Sequence, residues 1–536
     1  MSDAPAGAAS PPSYFTTGWT GGQNPWVIAL VVTLATFMEV LDTSIANVSL
    51  PHIAGNLSVT QDEGTWVLTS YLVSNAVVLP ISGWIASKIG RKRFYMICVA
   101  IFTISSLLCG LAPSLGTLVL FRVLQGVGGG GLAPSEQSIL ADTFPPAKRG
   151  VAFAVYGMAV VLAPAIGPTL GGYITDTYSW RWVFLINVPV GIVSLWLTHR
   201  VVTDPPHLQR AKDRPAEPVD FVGFGLLAVG LGTLEVVLDK GQEENWFASS
   251  MITGFSLVAA ATLVSFVLWE WRQKHPIVEI QLFRNRNFAS ANVMMMTLGV
   301  ALYGSTVLLP QFLQVLLGWS AQQAGMALSP GGFVVIAFLP LVGTLINRVD
   351  ARFLVAFGFV VLSLSMFYMA KHLQTGIDFH EAVKLRAFQS VGLAFLFVPI
   401  NTLVFAGMPP QKSNAISGIV NLSRNMGGDI GIAFVTTFVA RRSQFHQSRL
   451  ASHTSLYDPG FVAAARSAAH VFERFGTASA DAAHRGLALL YRQLQQQAAT
   501  LAYLDAIKAL AIATAAMLLL LPFTRRVQPG AAPAAH

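Results

Sequence analysis

Long apolar runs separated by short polar segments recur along the whole chain. A run of about 20 apolar residues can cross the hydrocarbon core of a bilayer as a helix. The pattern therefore predicts an all-α membrane protein with fourteen transmembrane helices, an even number that returns the C-terminus to the side of the N-terminus. The centres of the runs lie near Leu34, Ser74, Ile104, Gly128, Leu162, Val190, Ala228, Val258, Thr297, Val334, Val361, Phe395, Gly431 and Met517.

The composition supports a membrane protein. Hydrophobic residues make up 53% of the 536 residues and charged residues only 11%, and no soluble core can hide that much apolar surface. The net charge of +8 has to be interpreted by location, because membrane proteins keep Lys and Arg on the cytoplasmic side. It does not indicate nucleic-acid binding. Cys98 and Cys109 share one apolar run without metal-ligand spacing, so we expect two buried thiols.

The distribution of basic residues predicts the orientation. No Lys or Arg precedes Lys88, so the basic region of a cleavable signal peptide is missing and we expect the first helix to be retained. With both termini in the cytoplasm, most basic residues fall in cytoplasmic segments, as the positive-inside rule requires. The short external loops then hold only Arg181, Lys240, Lys371, Lys384 and Arg386.

The longest polar interruptions predict the domain organisation. Two six-helix bundles flank two extra helices, which suggests pseudo-symmetric halves with a site between them near the midplane. The predicted parts are a flexible cytoplasmic N-terminus (1–24), the first bundle (25–200), a cytoplasmic linker (201–220), two extra helices (221–271), a second cytoplasmic linker (272–287), the second bundle (288–524) and a cytoplasmic tail (525–536).

Residues 441–500 interrupt the second bundle on its outer face. Leu487, Leu490, Tyr491 and Leu494 keep helical spacing, so the segment is predicted to form a helical hairpin that leads into the last span. Its arginines outnumber its acidic residues, which would complement an acidic or polar partner surface. An extracytoplasmic cap without a partner is the alternative.

Glu39 and Asp42 place two carboxylates inside the first apolar run. An acidic residue near the middle of a membrane helix costs about 2.5–3.5 kcal/mol, so it faces a protein interior or a wet cavity. Because the two residues are three apart, they share one helix face. They are candidates for proton exchange, with Asp42 as the principal carrier and Glu39 assisting. Neutral, hydrogen-bonded packing residues are the alternative.

Three charged residues in later apolar runs are further candidates for the site. A rise of about 1.5 Å per residue places Arg122 of the fourth span and Asp42 at similar depths, so we expect them to meet and Arg122 to tune proton binding. A purely structural salt bridge is the alternative. Arg424 and Asp429 of the thirteenth span are predicted to face the cavity and bind substrate together with Asp42. Asp429 would favour cationic compounds by Coulomb attraction.

The remaining motifs narrow the function to transport. Residues 126–131 are rich in glycine, but no Gly-Lys-Ser/Thr follows, so ATP binding is not predicted and the energy should come from an ion gradient without a cofactor. A membrane-embedded enzyme is disfavoured because no His or Asp cluster has metal spacing. A proton-coupled exporter of amphipathic or aromatic compounds leads, and a transporter of one defined metabolite is the second possibility.

Several motifs resemble a known family. Residues 41–51 (LDTSIANVSLP) are similar to the first-span signature of the fourteen-span drug/proton antiporters of the major facilitator superfamily. GWIASKIGRKR, with Gly83, Gly90 and Arg91, resembles the superfamily's loop between spans two and three, and RVLQG from Arg122 resembles its fourth-span motif. WRWVFLINVPVG from Trp180, HPIVEIQLFRNRNF from His275 and LPQFLQVLLGWSAQQAG from Leu309 narrow the resemblance to the EmrB type. The fifth-span motif that marks antiporters is matched by Gly157, Pro164, Gly167, Pro168, Gly171 and Gly172.

The resemblance implies two six-helix bundles plus two linker helices in the cell inner membrane. It implies proton-coupled export of drugs or toxic compounds by alternating access, with a periplasmic adaptor of the EmrA type and an outer-membrane channel as partners. Export of one metabolite or siderophore without such partners is the alternative. Two positions depart from the family pattern: Ser87 stands where an acidic residue is common in the gating loop, and Asp429 stands where a small polar residue is usual.

The fifth-span motif has a physical interpretation of its own. Glycines let helices approach closely, while Pro164 and Pro168 remove backbone donors and permit a bend. The bend could act as a hinge or as a seal against proton leak. Close packing of small residues is the alternative.

Overall fold

A computed structural model describes residues 18–205, 220–274, 276–406, 408, 412–452, 454–455 and 457–524. Every regular element in these ranges is helical. The predictions for residues 1–17 of the N-terminus, for 206–219 of the first linker and for the tail 525–536 concern residues outside them.

Seventeen helices are labelled here in chain order. They are α1 (Pro25–Asn56), α2 (Trp66–Ile89), α3 (Arg91–Leu111), α4 (Leu115–Gly129), α5 (Leu132–Thr143), α6 (Pro146–Thr177), α7 (Arg181–Leu185), α8 (Asn187–Val201), α9 (Phe221–Lys240), α10 (Ser250–Arg272), α11 (Arg286–Gln311), α12 (Ala321–Leu345), α13 (Ala351–His372), α14 (Phe379–Phe405), α15 (Ser413–Ala451), α16 (Pro459–Arg474) and α17 (Ser479–Ala516). Short helical segments also form at Gln61–Gly64, Trp246–Ala248, Ile280–Arg284, Phe312–Leu316 and Met517–Phe523.

The helices account for the apolar runs, and the span count is close to the prediction. Within the described residues, 12 helices or continuous helix pairs are long and apolar enough to cross a membrane, and a bent helix, α6, raises the number to 13. The predicted run near Gly431 lies in α15, which is 39 residues long but carries Arg424, Asp429 and many small polar residues. For that reason α15 is not apolar enough to be among the helices counted as candidate spans. The count of fourteen spans stays a prediction.

Two bundles pack against each other through a few helix pairs. In the first bundle α1 packs on α6, and α4 packs on both α2 and α3. In the second, α11 packs on α15, α14 on α12 and α13, and α15 on α17. The bundles meet where α6 packs on α12 and α2 packs on α15. A site between the bundles therefore draws its side chains from these four helices and their neighbours.

The two extra helices form a hairpin on the outside of this pair of bundles. Helix α9 packs on α10, α2 and α15. At its end Asp239 accepts a hydrogen bond from Thr69 and Lys240 donates one to Thr65. Lys240, predicted in a short external loop, is the last residue of its helix and is 5% exposed, so its side chain packs inward.

Helix α6 carries the antiporter-type motif and is bent. Its segments Lys148–Pro164 and Ile166–Thr177 meet at 43°, as the prolines predicted, because a proline nitrogen cannot donate the helical hydrogen bond. A Cβ on Gly157 would lie 2.9 Å from the Phe397 ring and one on Gly171 would lie 2.9 Å from Ile45. Gly167 likewise packs on Ser44, whereas Gly172 has no neighbour within 4 Å. Close approach therefore explains three of the four glycines but not Gly172.

The outer segment is helical, as predicted, but it buries small residues rather than the apolar stripe. Helix α16 packs antiparallel on the start of α17, and a Cβ on Gly486 would lie 2.8 Å from the backbone nitrogen of Ala469. Leu487 and Tyr491 of the stripe are 43% and 54% exposed. Phe475, between α16 and α17, is 84% exposed. Several apolar side chains of this segment are thus exposed on the protein surface, while Leu490 and Leu494 are half-buried.

Candidate functional site

Asp42 lies at the centre of a buried hydrogen-bond network inside the first bundle. Its carboxylate accepts hydrogen bonds from Arg122 Nη1 at 2.6 Å, from Gln125 Nε2 at 3.0 Å and from Asn187 Nδ2 at 2.6 Å. Asp42 and Arg122 have no exposed surface. The contact expected from their depths is present, and three side chains from α4 and α8 donate to one carboxylate. Their roles in proton coupling stay predictions.

The partners of Asp42 come from motifs that carried the resemblance. Gln125 follows Arg122 by one helical turn in α4, so both side chains face α1, and Gln125 also accepts from Arg122 Nη1 at 2.8 Å. Asn187, in the WRWVFLINVPVG motif, begins α8 directly after the break that follows α7. Ser106 of α3 accepts from Gln125 at 3.2 Å and from Asn187 at 3.0 Å. The network therefore connects α3, α4 and α8 to Asp42 on α1.

Arg122 is held by more than its ion pair. Its Nε donates to the backbone oxygen of Val67 at 3.0 Å, and its guanidinium lies 4.3 Å from the centre of the Tyr71 ring. A cation over an aromatic face is attracted by the ring quadrupole. Arg122 would thus keep two ligands of its own if Asp42 were protonated.

Tyr71 links this ion pair to Glu39. Its hydroxyl donates to Glu39 Oε1 at 3.0 Å, and Asn75 Nδ2 donates to the same oxygen at 3.3 Å. Glu39 is half-buried and lies in electrostatic range of both Asp42 and Arg424. The first bundle's charge network therefore extends from Arg122 through Tyr71 and Glu39 toward the second bundle.

Glu136 of α5 is a buried acid that the sequence interpretation missed. It has no exposed surface, its Oε1 accepts from Thr33 Oγ1 at 2.5 Å, and it lies in electrostatic range of Glu39 and Arg424. The cost of a carboxylate inside an apolar run, which identified Asp42, would have identified Glu136 too.

Arg424 joins the two bundles. Its Nη1 donates to the Tyr156 hydroxyl of α6 at 2.9 Å, and that hydroxyl donates to Asn421 Oδ1 at 3.2 Å. Asn421 Nδ2 in turn donates to Gln137 Oε1 of α5 at 2.9 Å. Arg424 is 4% exposed. The residue thus lies at the predicted interface, where its charge faces Glu39 and Glu136 across the boundary between the bundles.

Asp429 faces a different neighbour from Arg424. Its carboxyl group lies within hydrogen-bonding reach of the Glu235 carboxyl on the extra helix α9, with Asp239 nearby. Glu235 is 1% exposed and Asp429 is half-buried. Substrate binding by Asp429 stays a prediction, but Arg424 and Asp429 do not share one set of contacts.

The residues at the junction of α2 and α3, for which the resemblance predicted a gating role, contact the second bundle. Arg91 is 1% exposed and donates to the backbone oxygen of Ser138 at 2.7 Å, to Asp142 at 2.5 Å and to Ser413 at 3.2 Å. A Cβ on Gly83 would lie 2.7 Å from the backbone of Asn414 in α15. Gly90 joins α2 to α3 with φ of +93°, a conformation that favours glycine.

Ser87 takes no part in this contact between the bundles. Its hydroxyl donates to the backbone oxygen of Trp84 in its own helix at 2.7 Å. The carboxylate beside Arg91 comes instead from Asp142 at the end of α5. An ion pair in the gating region is thus present although the loop lacks the usual acid. Among the described residues no group of three or more His, Cys, Asp or Glu side chains is placed to hold a metal ion.

Two packed bundles of membrane-length helices with charged residues buried along their interface define a multi-pass membrane transporter. A family model described as Major Facilitator Superfamily matches residues 32–432. Multidrug export protein EmrB of Escherichia coli strain K12 is 36% identical over 440 residues, which are 82% of this chain and 85% of that protein. Fatty acid resistance protein FarB of Neisseria gonorrhoeae is 40% identical over 438 residues, again 82% of this chain and 85% of that protein.

Two solved structures have a similar fold, at sequence identities too low to show more than the fold. The human organic anion transporter MFSD10 has a TM-score of 0.56 at 12% identity, covering 91% of this chain and 99% of its own. The proton:xylose symporter XylE has a TM-score of 0.56 at 15% identity, covering 92% and 95%. The chain belongs to the major facilitator superfamily, among its EmrB-like multidrug efflux proteins.

Proposed function

We propose that this efflux transporter is a proton-coupled antiporter that exports hydrophobic or amphipathic compounds by alternating access. The observation that carries the proposal is the buried Asp42–Arg122 pair, with 2.6 Å between Oδ2 and Nη1. Charges at this depth are expensive, and function is a common reason for them. The proton gradient would supply the energy, with no cofactor and no catalytic reaction.

The network suggests how proton binding at Asp42 could affect the contacts between the bundles. Protonation of Asp42 would cancel the negative charge beside Arg122, whose guanidinium would stay bound to Val67 and Tyr71. The hydroxyl of Tyr71 also holds Glu39, which faces Arg424 of the second bundle. A change in the Asp42 charge would therefore alter the balance of charges at the interface, where the contacts made by Tyr156, Asn421 and Gln137 must break for the bundles to separate.

Substrates would be small drugs or toxic compounds. The name of FarB points to fatty acids in that relative, so amphipathic acids belong beside cationic dyes in any substrate panel. Export of one specific metabolite or siderophore is the second candidate. We place the protein in an inner membrane with both termini in the cytoplasm, because that orientation keeps most basic residues on the cytoplasmic side.

The exposed outer segment favours a tripartite assembly with a periplasmic adaptor of the EmrA type and an outer-membrane channel. Phe475 is 84% and Tyr457 is 97% exposed, and apolar side chains of this kind are often covered by a partner.

Efflux from proteoliposomes with an imposed pH gradient tests the function. The panel would contain cationic dyes, neutral dyes and amphipathic acids, each measured before and after an ionophore collapses the gradient. We expect export of several compounds that stops when the gradient is removed. Export that continues at the same rate would exclude proton coupling, and export of a single compound would favour the metabolite exporter.

A further inference from the structure

The fourth and twelfth spans share a short sequence pattern. Arg122, Gln125 and Gly128 of α4 recur in α14 as Arg386, Gln389 and Gly392, with a valine before each glycine. Arg122 and Arg386 are each the eighth residue of their helix, since α4 begins at Leu115 and α14 at Phe379. Arg386 therefore belongs within the membrane span, and its assignment to an external loop was wrong.

Packing shows that the two patterns hold equivalent places in the two bundles. A Cβ on Gly128 would lie 2.6 Å from the backbone nitrogen of Phe102 in α3, and one on Gly392 would lie 2.6 Å from the backbone nitrogen of Leu362 in α13. In both helices the arginine donates through Nη1 to the glutamine Oε1 at 2.8 Å. Pseudo-symmetric halves of a transporter are expected to repeat such features.

The two arginines differ in what faces them. Asp42 of α1 pairs with Arg122, whereas Arg386 meets the hydroxyls of Ser305 at 3.5 Å and Thr306 at 3.4 Å, both at the end of α11. No carboxylate within the described residues forms an ion pair with Arg386. The residue is only 8% exposed and Gln389 has no exposed surface. A buried guanidinium without a counter-charge is costly in a low-dielectric interior.

Two donors of this cluster also lack acceptors. Neither Arg386 Nε nor Gln389 Nε2 has a hydrogen-bond partner in the described structure. In the first bundle the equivalent glutamine nitrogen donates to Asp42, at 3.0 Å. The hydroxyls of Ser305 and Thr306 already donate to the backbone oxygen of Leu302, so the open donors are the arginine Nε and the glutamine amide. A carboxylate has several acceptor sites and the charge that Arg386 lacks opposite it, so it suits both donors.

We propose that Arg386 and Gln389 form a carboxylate-binding site in the second bundle, in the place that corresponds to Asp42 in the first. The carboxylate would come from a ligand, either the acidic group of an amphipathic substrate or a small free carboxylate. The inference deepens the proposed export function by naming a class of substrate. Its test measures binding, so its outcome is separate from whether transport is coupled to protons.

The experiment is thermal unfolding of the purified full chain in lipid nanodiscs, titrated with octanoate, acetate or octanol. A ligand that binds only the folded protein raises the melting temperature in a saturable way. We expect octanoate to raise it and octanol, with the same chain but no charge, to have a much smaller effect. An equal response to acetate would show that a small carboxylate suffices, and a response to octanoate alone would identify amphipathic acids.

Three variants decide the assignment. Arg386→Met should weaken the octanoate response roughly tenfold or more, as expected for loss of a charge-assisted contact. Lys384→Met is the matched control, because it removes a cation two residues away that is exposed and paired with Glu381, and it should leave the response unchanged.

Gln389→Glu keeps the proposal falsifiable if Arg386→Met does not fold. It supplies a carboxylate next to Arg386, so it should raise the melting temperature without ligand and abolish the octanoate response. A full octanoate response in either the Met or the Glu variant, or an equal response to octanol in the unmodified protein, would overturn the site.

Discussion

The carboxylate of Asp42 lies 2.6 Å from the guanidinium of Arg122, and neither side chain has exposed surface. Replacing a buried ion pair by apolar residues is often neutral or stabilising, so the pair is weak evidence for a purely structural role. Removing one partner, by contrast, typically costs about 3–5 kcal/mol, because the other charge stays buried. A proton on Asp42 therefore requires that the surroundings still hold Arg122, as Val67 and the Tyr71 ring do.

Tyr71→Phe tests the link between Asp42 and Glu39. The variant keeps the ring beside Arg122 but loses the hydroxyl that donates to Glu39 at 3.0 Å. A hydrogen bond to a charged group contributes about 1.5–3 kcal/mol, so we expect proton-driven efflux to fall roughly tenfold or more while folding is kept. Tyr71→Leu, which also removes the ring, should reduce efflux further. If Tyr71→Phe transports normally and only the leucine variant fails, the ring alone matters.

Gly83 tests the closure of the interface at the end that carries the gating loop. Because a Cβ would lie 2.7 Å from the Asn414 backbone, Gly83→Ala should slow export and Gly83→Val should slow it more. Gly116→Ala is the control, since no atom lies within 4 Å of a Cβ there.

The closure itself can be followed by cross-linking. Cysteines introduced by Ser138→Cys and Ser417→Cys, whose hydroxyl oxygens are 3.1 Å apart, should form a disulfide that stops export until it is reduced. Gly83→Val should lower the yield of this cross-link, and an unchanged yield with normal export would show that Gly83 can be filled without harm.

Asp429→Asn tests cation preference. Asp429, Glu235 and Asp239 place several carboxyl groups close together in a poorly solvated region, where Coulomb attraction for a cation is strong. Export of cationic dyes should fall more than export of neutral dyes of similar size. Asp176→Asn, at an exposed acid, should change neither. An equal loss for both dye classes would point to packing between α9 and α15 instead.

The outer segment tests adaptor docking. Removal of α16 together with Tyr457→Ser and Phe475→Ser deletes the most exposed apolar side chains of the segment and leaves the contact between α15 and α17 in place. We expect normal membrane insertion and proton-coupled efflux in proteoliposomes, but loss of adaptor co-purification and of resistance in intact cells. Full recovery of the adaptor by the shortened protein would place the docking site elsewhere on the chain.

Helix periodicity and residue depth predicted the helices and one of the buried contacts. They could not predict how each helix is rotated or where it begins. The similar depth of Asp42 and Arg122 was predicted from the rise per residue, counted from the expected ends of the two helices, and the structure shows that their side chains meet. The depth of a residue does not determine how its helix is rotated. The structure was therefore needed to show that Asp429 of α15 faces Glu235 and not the surroundings of Arg424. Arg386 was predicted in a loop because charged residues lie close to the start of the apolar run. The sequence there does not indicate that the helix already begins at Phe379.

The site also contains residues whose contribution depends on packing between distant segments. In the sequence, Asn187 and Gln125 are recognised only as parts of motifs. Their hydrogen bonds to Asp42 form because α4 and the start of α8 both approach α1. Glu136 could have been found by the same cost argument that singled out Asp42. Gly172 shows the opposite case, since its motif predicted close packing and it has open space around it.

Proton movement driven by substrate in proteoliposomes tests the central claim most directly. An outward substrate gradient would be applied without any imposed pH difference, and an entrapped pH dye would report proton flux. The unmodified protein should move protons in the opposite direction to substrate, and Asp42→Asn, at equal reconstitution and with substrate binding checked by fluorescence, should move none. Proton flux at the full rate in Asp42→Asn would contradict the assignment of Asp42 as the proton carrier.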